Sequence, residues 1–220
     1  PEEYLIIIRT NRSNMQRGAT DCMEGDSCFC IAGGDGQVGL ETSWLVRSIR
    51  RTYPNVPIYV GIPQSEKQSV QLPDDVTTFQ IPLPLPGYQI SIKAGVLRRV
   101  EQQTSHSTKV LLDSDCILVN NLTVPTKNCD LYMKPDDIYP SWISDPDQTW
   151  DRLYSLCGVT PPESKVKTTV DKKETWPYYQ GGVIIVNDIT IGDKLVEYEK
   201  RIFDALDGEY FTEQVALSIL

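Results

Sequence analysis

Apolar residues fall along this chain in two patterns, short unbroken runs and stripes at helical spacing, and the two patterns alternate. Residues 4–9 (YLIIIR) form a continuous apolar run of the kind a strand covered on both faces shows. A long Gly/Asp/Ser/Cys loop follows, interrupted by the short run CFCIA at 28–32. Leu40, Trp44, Leu45, Ser48 and Ile49 then recur at helical spacing. Arg47, Arg50 and Arg51 are left for the wet side near the C-terminal end, where cations suit the dipole, so a helix is expected over Glu41 to Arg51. Pro54 and Pro57 bracket its end, PIYVGI at 57–62 predicts the next buried strand, and VTTFQI at 76–81 a further one that the Pro82, Pro84, Pro86, Gly87 cluster stops. Residues 88–103 predict a helix with Ile92, Val96, Leu97 and Val100 on one face.

The second half continues the alternation. KVLLDSDCILV at 109–119 predicts a strand broken by an acidic turn and resumed as a second apolar run, and CDLYMK at 129–134 another strand. The stretch 135–175 is rich in Pro, Asp, Lys and Trp and weakly periodic apart from a helix at about Asp147 to Cys157. It is expected to be an irregular insertion or lid. GGVIIVN at 181–187 predicts the last strand, with helices from about Ile191 to Leu206 and from about Phe211. Strands and helices alternating in this way imply an α/β domain of three layers, α/β/α, with a mainly parallel mixed sheet.

Composition narrows the picture. The 220 residues are 40% hydrophobic and 23% charged, which suits a single domain over 1–220 with one full core. A formal net charge of -9 argues against nucleic acid or anionic membrane as a partner held by bulk electrostatics. No apolar run approaches the roughly 20 residues of a membrane span. The chain opens on Pro1 and stops inside the apolar run FTEQVALSIL, so both ends are expected to be truncated. Cys22, Cys28 and Cys30 lie close together in a Gly/Asp-rich stretch, where a metal site, a loop disulfide and ordinary thiols are all open. Their C-x5-C-x-C spacing is not that of a zinc knuckle, and the single histidine, His106, is far away in sequence. Asn11 and Asn121 each begin a glycosylation sequon.

Two motifs carry candidate chemistry. Gly34-Asp35-Gly36-Gln37-Val38-Gly39 is a formal G-x-G-x-x-G running into a helix, which invites an NAD(P)-dependent Rossmann oxidoreductase. That fingerprint also requires an acid at the end of the second strand to hold the ribose. Here the strand ends Gly61-Ile62-Pro63-Gln64, and Glu66 comes late. The other motif is LLDSDCILVNN at 111–121. Asp113 and Asp115, at the end of a buried strand, aim two carboxylates out of the C-terminal edge of the sheet. A hard cation such as Mn2+ or Mg2+ takes oxygen ligands of this kind and keeps substrate phosphates in its shell.

On these residues the chain resembles GT-A glycosyltransferases, in particular the glycogenin-like branch, whose signature is a strand of the form V-L-Y-L-D-x-D. YQISIKAGVLRR at 88–99 is similar to the family's helix before that signature, YYQGGVIIVN at 178–187 to its F-N-S-G-V-x-x-x-N strand, and YFTEQVALSIL at 210–220 to its F-x-D-Q-x-x-L-N helix start. The resemblance implies a single GT-A domain that moves a sugar from a nucleotide diphosphate sugar, UDP-linked first and GDP-linked second, to a carbohydrate, lipid or protein acceptor. It implies a metal on Asp113 and Asp115 with Ser114 beside the donor, and Lys93 facing the diphosphate. Gln180, Gly181 and Gly182 would line sugar and acceptor, while Glu213 and Gln214 would bind sugar hydroxyls, Glu213 also being a candidate base or nucleophile. The nucleoside falls to Ala32, Gly33, Gly34 and Asp35, or to Thr10 and Asn11 if YLIIIR is the first strand. Gln180 and Glu213 stand where the family usually has asparagine and aspartate, and the usual third metal ligand, a histidine, belongs to a segment past Leu220. Trp142, Trp150, Trp176, Tyr178 and Tyr179 are candidates for stacking on sugars. A sugar- or nucleotide-binding module with little activity is the remaining alternative.

Overall fold

A computed structural model of the chain describes residues 21–22, 25–67, 70–124, 130–140, 143, 145–187, 189–206 and 211–220. In chain order its elements are β1 (Asp21–Cys22), β2 (Ser27–Ala32), α1 (Gly36–Thr52), β3 (Ile58–Pro63), β4 (Thr77–Ile81), α2 (Ile92–Gln103), β5 (Thr108–Leu112), β6 (Thr123–Val124), β7 (Leu131–Pro135), α3 (Pro146–Cys157), β8 (Val166–Lys167), β9 (Glu174–Thr175), β10 (Tyr179–Asn187), α4 (Gly192–Ala205) and α5 (Thr212–Ile219). A 3-10 turn at Gln89–Ser91 leads into α2. The run at 4–9 lies outside the described residues, as do Thr10, Asn11 and Trp142.

Six strands form the main sheet in the order β4-β3-β2-β5-β10-β7. The pairs β3–β4, β2–β3 and β2–β5 are parallel, and β10 lies antiparallel between β5 and β7. The sheet is therefore mixed and mainly parallel. Both faces are covered, which is why its central strands read as unbroken apolar runs. Alternate residues of β2 show the division: Phe29 and Ile31 pack with Leu45, Val46 and Ile49 of α1, while Cys28 and Cys30 pack with Val96, Leu97 and Val100 of α2 and with Leu195 and Ile202 of α4. The three-layer α/β/α expectation holds.

Three expectations need correction. Leu40 and Trp44 are 40% and 52% exposed, because the buried face of α1 is offset to Gly39, Thr42, Leu45, Val46 and Ile49. Thr42 is tolerated there because its hydroxyl donates to Val38 O at 2.7 Å. The apolar run after the acidic turn is not a strand. It lies as a loop along α1, with Leu118 N–H donating to Ser48 Oγ at 2.9 Å and the Tyr53 hydroxyl accepting from Leu122 N–H at 2.5 Å. The loop disulfide left open for Cys28 and Cys30 is excluded, because both are buried residues of β2 with free thiols.

The stretch 135–175 is better ordered than its weak periodicity implies. Asp145 caps α3 by accepting from Gln148 N–H at 3.1 Å, Pro146 opens the helix, and Gly158 closes it at φ 70. β8 and β9 make a hairpin whose turn docks on the segment after β7, through Thr169 N–H to Asp136 O at 2.9 Å and Val170 N–H to Asp137 O at 2.9 Å. Trp150 and Tyr178 are core residues, 0% and 1% exposed, so packing accounts for them.

Helices α2 and α4 meet at Gly192. The two oxygens of Glu101 accept from Ile191 N–H at 2.9 Å and Gly192 N–H at 2.7 Å, covering the N-terminus of α4. A Cβ on Gly192 would stand 2.5 Å from the backbone nitrogen of Arg98, which cannot yield as a side chain can. Gly192→Ala is expected to destabilise the domain by about 1–3 kcal/mol, seen as a lower midpoint in thermal or urea unfolding.

Candidate active site

The acidic turn leaves the sheet at the C-terminal end of β5. Asp113 N–H donates to Gly182 O on β10 at 3.0 Å, and Cys116 N–H donates back to Asp113 O at 3.2 Å, closing the turn. The Ser114 hydroxyl faces Glu41 of α1 at 3.4 Å, and Glu41 is itself held by Gln37. Asp115 is exposed.

Lys93 joins this turn to the rest of the site. Its Nζ lies 2.5 Å from Asp113 Oδ1, 3.3 Å from Glu213 Oε1 and 3.3 Å from Gly181 O, with the side chain 13% exposed. Burial works against its charge, but Glu213 and Asp113 together outweigh burial and hold the Lys93 pKa above the usual lysine value. Both acids move upward as well. Burial raises Asp113 more than Lys93 lowers it, and burial raises Glu213, with Asp113 adding to the effect against Lys93.

Gly181 is required by this arrangement. A Cβ there would lie 2.6 Å from Glu213 Oε2 and closer still to Oε1. At Gly182 the nearest atom to such a Cβ is Asp113 Oδ2, the oxygen opposite the one paired with Lys93, at an ordinary contact distance of 3.6 Å. Glu213 is 3% exposed, and its backbone N–H donates to the Tyr88 hydroxyl at 3.1 Å. Gln214 turns elsewhere, its Oε1 accepting from the Tyr178 hydroxyl at 2.5 Å. Gln180 Nε2 donates to Asp137 Oδ2 at 3.0 Å, and Asp137 is further held by Lys134 and the Thr169 hydroxyl. Those bonds, Lys134 foremost, keep the Asp137 pKa below the usual carboxylate value.

The structure thus brings Asp113, Lys93, Gly181, Gly182 and Glu213 into one cluster, with Ser114, Asp115 and Gln180 adjoining it along the chain. Ala32 ends β2, the strand beside β5, and Gly33, Gly34 and Asp35 follow it. Glu66 joins them there, its Oε2 accepting from Asp35 N–H at 3.0 Å and standing 2.6 Å from where a Gly34 Cβ would be. Sequence spacing missed this acid, and it missed Asp137. His106 lies before β5, at the opposite sheet edge, bonded to Asp26 at 3.1 Å and the Tyr59 hydroxyl at 3.1 Å.

Asp113 Oδ2 and the Asp115 carboxylate suit a hard cation, but among the described residues no three His, Cys, Asp or Glu groups form a metal cluster. Two carboxylates fit a Mg2+ or Mn2+ ion that takes its other ligands from diphosphate oxygens and water. Cys116 adds no thiolate, because burial, with Asp113 and Asp115 nearby, pushes its pKa up to about 11. A cavity of about 400 Å³ bounded by Gln148, Thr149, Arg152, Leu153 and Leu206 shares no residue with the cluster.

Lys93→Met leaves two buried carboxylates without their cation and is expected to cost about 3–5 kcal/mol at neutral pH. The penalty shrinks as pH falls, because protonating Asp113 and Glu213 removes the uncompensated charge. Unfolding midpoints of both proteins across a pH series from neutral to acid check this.

A family model described as a Rhodobacterales glycosyltransferase domain matches residues 29–220. No curated protein matches the chain. Among solved structures the chain is similar to the galactosyltransferase LgtC in complex with donor and acceptor sugar analogues, at 11% identity and a TM-score of 0.41 over 88% of this chain and 69% of that one. It is also similar to the glycosyltransferase GlyE of Streptococcus pneumoniae TIGR4, at 12% identity and a TM-score of 0.43 over 87% of this chain and 42% of that one. Among the described residues no helix is long and apolar enough to cross a membrane. The family match runs from within β2 to the end of α5, through every residue of the Lys93 cluster, and the chain belongs to the Rhodobacterales glycosyltransferase domain family.

Proposed function

We propose that this glycosyltransferase domain moves a sugar from a nucleotide diphosphate sugar, UDP-linked first and GDP-linked second, to a hydroxyl of a carbohydrate, lipid or protein acceptor, with Mn2+ or Mg2+ on Asp113 and Asp115. The observation that carries this reading is the D-S-D turn at the C-terminal end of β5, tied through Lys93 to Glu213 and to the Gly181 carbonyl. The metal, when bound, supplies the positive charge that stabilises the departing diphosphate.

The chain's own residues do the rest. Ser114, anchored on Glu41, fixes the turn so that Asp115 faces solvent and the incoming donor. Lys93 holds Asp113 in place, and at 13% exposure it acts on the phosphates as a near charge. Gly181 and Gly182 let the sugar approach backbone, while Asp137 orients the Gln180 amide toward the same edge. Glu213 is the candidate base or nucleophile, and Lys93 opposes the upward shift that burial gives its pKa. Gln214, proposed from the sequence for sugar hydroxyls, has its Oε1 taken by the Tyr178 hydroxyl. Ala32, Gly33, Gly34 and Asp35, with Glu66 beside them, are the proposed nucleoside contacts. Asp35 and Glu66 are hydroxyl acceptors suited to a ribose, and their negative charge disfavours a pyrophosphate at the N-terminus of α1, against the oxidoreductase reading.

Thermal shift with Mn2+, UDP, GDP and NAD, alone and combined, tests the assignment. Mn2+ and UDP together are expected to stabilise the domain more than the sum of each alone. Asp115→Ala is expected to remove that synergy and lower UDP release from UDP-sugars by roughly 100-fold or more. Stabilisation by NAD alone, or UDP release unchanged in Asp115→Ala, overturns the proposal. Synergistic binding with no release from any nucleotide sugar identifies a binding module instead.

A further inference from the structure

Behind Glu213 stands a carboxyl group that the transfer reading does not use. Glu199 on α4 is 0% exposed, and neither of its carboxyl oxygens has a hydrogen-bond partner among the described residues. It occupies a position on the buried stripe of α4, among Leu195, Tyr198 and Ile202. One turn on, the Phe203 ring lies 5.3 Å from that of Tyr88, whose hydroxyl receives the Glu213 N–H.

The charged groups that act on Glu199 are Glu213 from α5 and Lys93 from α2. Of the other charges on these helices, four are engaged elsewhere. Arg98 of α2 pairs with Asp193, Glu101 of α2 caps α4, Arg152 of α3 donates to Ala205 O, and Arg201 of α4 pairs with Glu197. Three carboxyls, Asp113, Glu213 and Glu199, therefore feel a single ammonium that the first two already hold. A buried carboxylate without a partner is among the least favourable groups a fold can contain, and it takes up a proton instead.

We propose that Glu199 is a positioning residue that carries a proton behind Glu213 as a neutral acid, which leaves Lys93 committed to Glu213 and Asp113. The consequence for catalysis rests on the transferase reading, whereas the protonation does not. Burial, with Glu213 adding to it, raises the Glu199 pKa well above the usual glutamate value. Once ionised, Glu199 would compete for Lys93 and repel Glu213, loosening the turn that holds Asp113. The stability from the neutral acid is complete below the unfolded glutamate pKa and is lost as pH rises through the folded one.

Wild type, E199Q and E199A are compared in three measurements between about pH 5 and about pH 9. The infrared difference spectrum of wild type minus E199Q is expected to show a protonated-carboxyl stretch at neutral pH. The unfolding midpoint of E199Q is expected to gain on wild type steadily as pH rises. UDP release is expected to fall on the alkaline side in wild type, later in E199Q, with E199A losing kcat more than KM and Gln restoring it. A spectrum without that band, or a midpoint difference that is flat with pH, overturns the protonated acid. Coincident pH–rate profiles of wild type and E199Q overturn the positioning role. Absence of UDP release in wild type itself sinks the transferase reading, while the spectrum and the midpoints still judge Glu199.

Discussion

One shared proton donor, the ammonium of Lys93, holds the site together. It reaches from α2 to the end of β5 through Asp113, to β10 through the Gly181 carbonyl, and to α5 through Glu213. Four elements far apart in sequence thus meet on one charge. The neighbouring structure is arranged around that meeting. Gly181 has no side chain because the Glu213 carboxyl occupies the space, and Tyr88, just before α2, receives the backbone N–H of Glu213. A charge buried to this extent is tolerated only when paired, and pairing by two carboxyls and a carbonyl meets that condition.

The antiparallel β10 brings the second half of the chain to this point. Running opposite to β5, it places Gln180, Gly181 and Gly182 beside the residues that leave β5, and Asp113 N–H to Gly182 O continues the ladder one step beyond the strand. Its pairing with β7 shifts register between Gln180 and Ile185, an irregularity that lets this end of the strand depart from the regular pleat next to the site. Asp137 then carries the β8–β9 hairpin into the same network, since its carboxylate meets Gln180 and its carbonyl receives Val170 N–H. The hairpin is thereby coupled to the site by hydrogen bonds.

Legibility in the sequence followed locality. The buried strands were readable because each is a short apolar run, and Asp113, Asp115, Lys93, Gly181, Gly182 and Glu213 were readable as pieces of motifs in the right order. The face of α1 was misread because Trp44 was counted as core, when Thr42 and Val46 take the buried positions and a hydroxyl-to-carbonyl bond makes Thr42 acceptable there. The apolar residues after the acidic turn were taken for a strand. Their backbone groups bond to Ser48 and Tyr53 of another element, and periodicity carries no trace of such bonds. Glu66 and Asp137 act across long sequence separations, so spacing rules cannot find them. Glu199 did leave a signal: it falls in the apolar series Leu195, Tyr198, Glu199, Ile202, at a position where a charged residue demands an explanation.

Charge also decides between the two anion sites that the sequence offered. The N-terminus of α1 has the dipole and the glycines that ordinarily attract a diphosphate, yet Asp35 and Glu66 stand at it and Glu41 follows in the helix. The β5 edge has an ammonium, but Lys93 faces Asp113 and Glu213, and Asp115 adds a further carboxylate to the turn. Neither place is positive on its own. In the proposed reading an anionic donor approaches the β5 edge together with a cation, to which Asp115 and Asp113 would offer oxygen ligands. At α1 two of the three carboxylates are already used, Glu66 on a backbone amide and Glu41 on Gln37 and Ser114. The same acidity that makes the glycine run unsuited to a pyrophosphate therefore makes a metal-accompanied donor the form of substrate that the proposed site can accept.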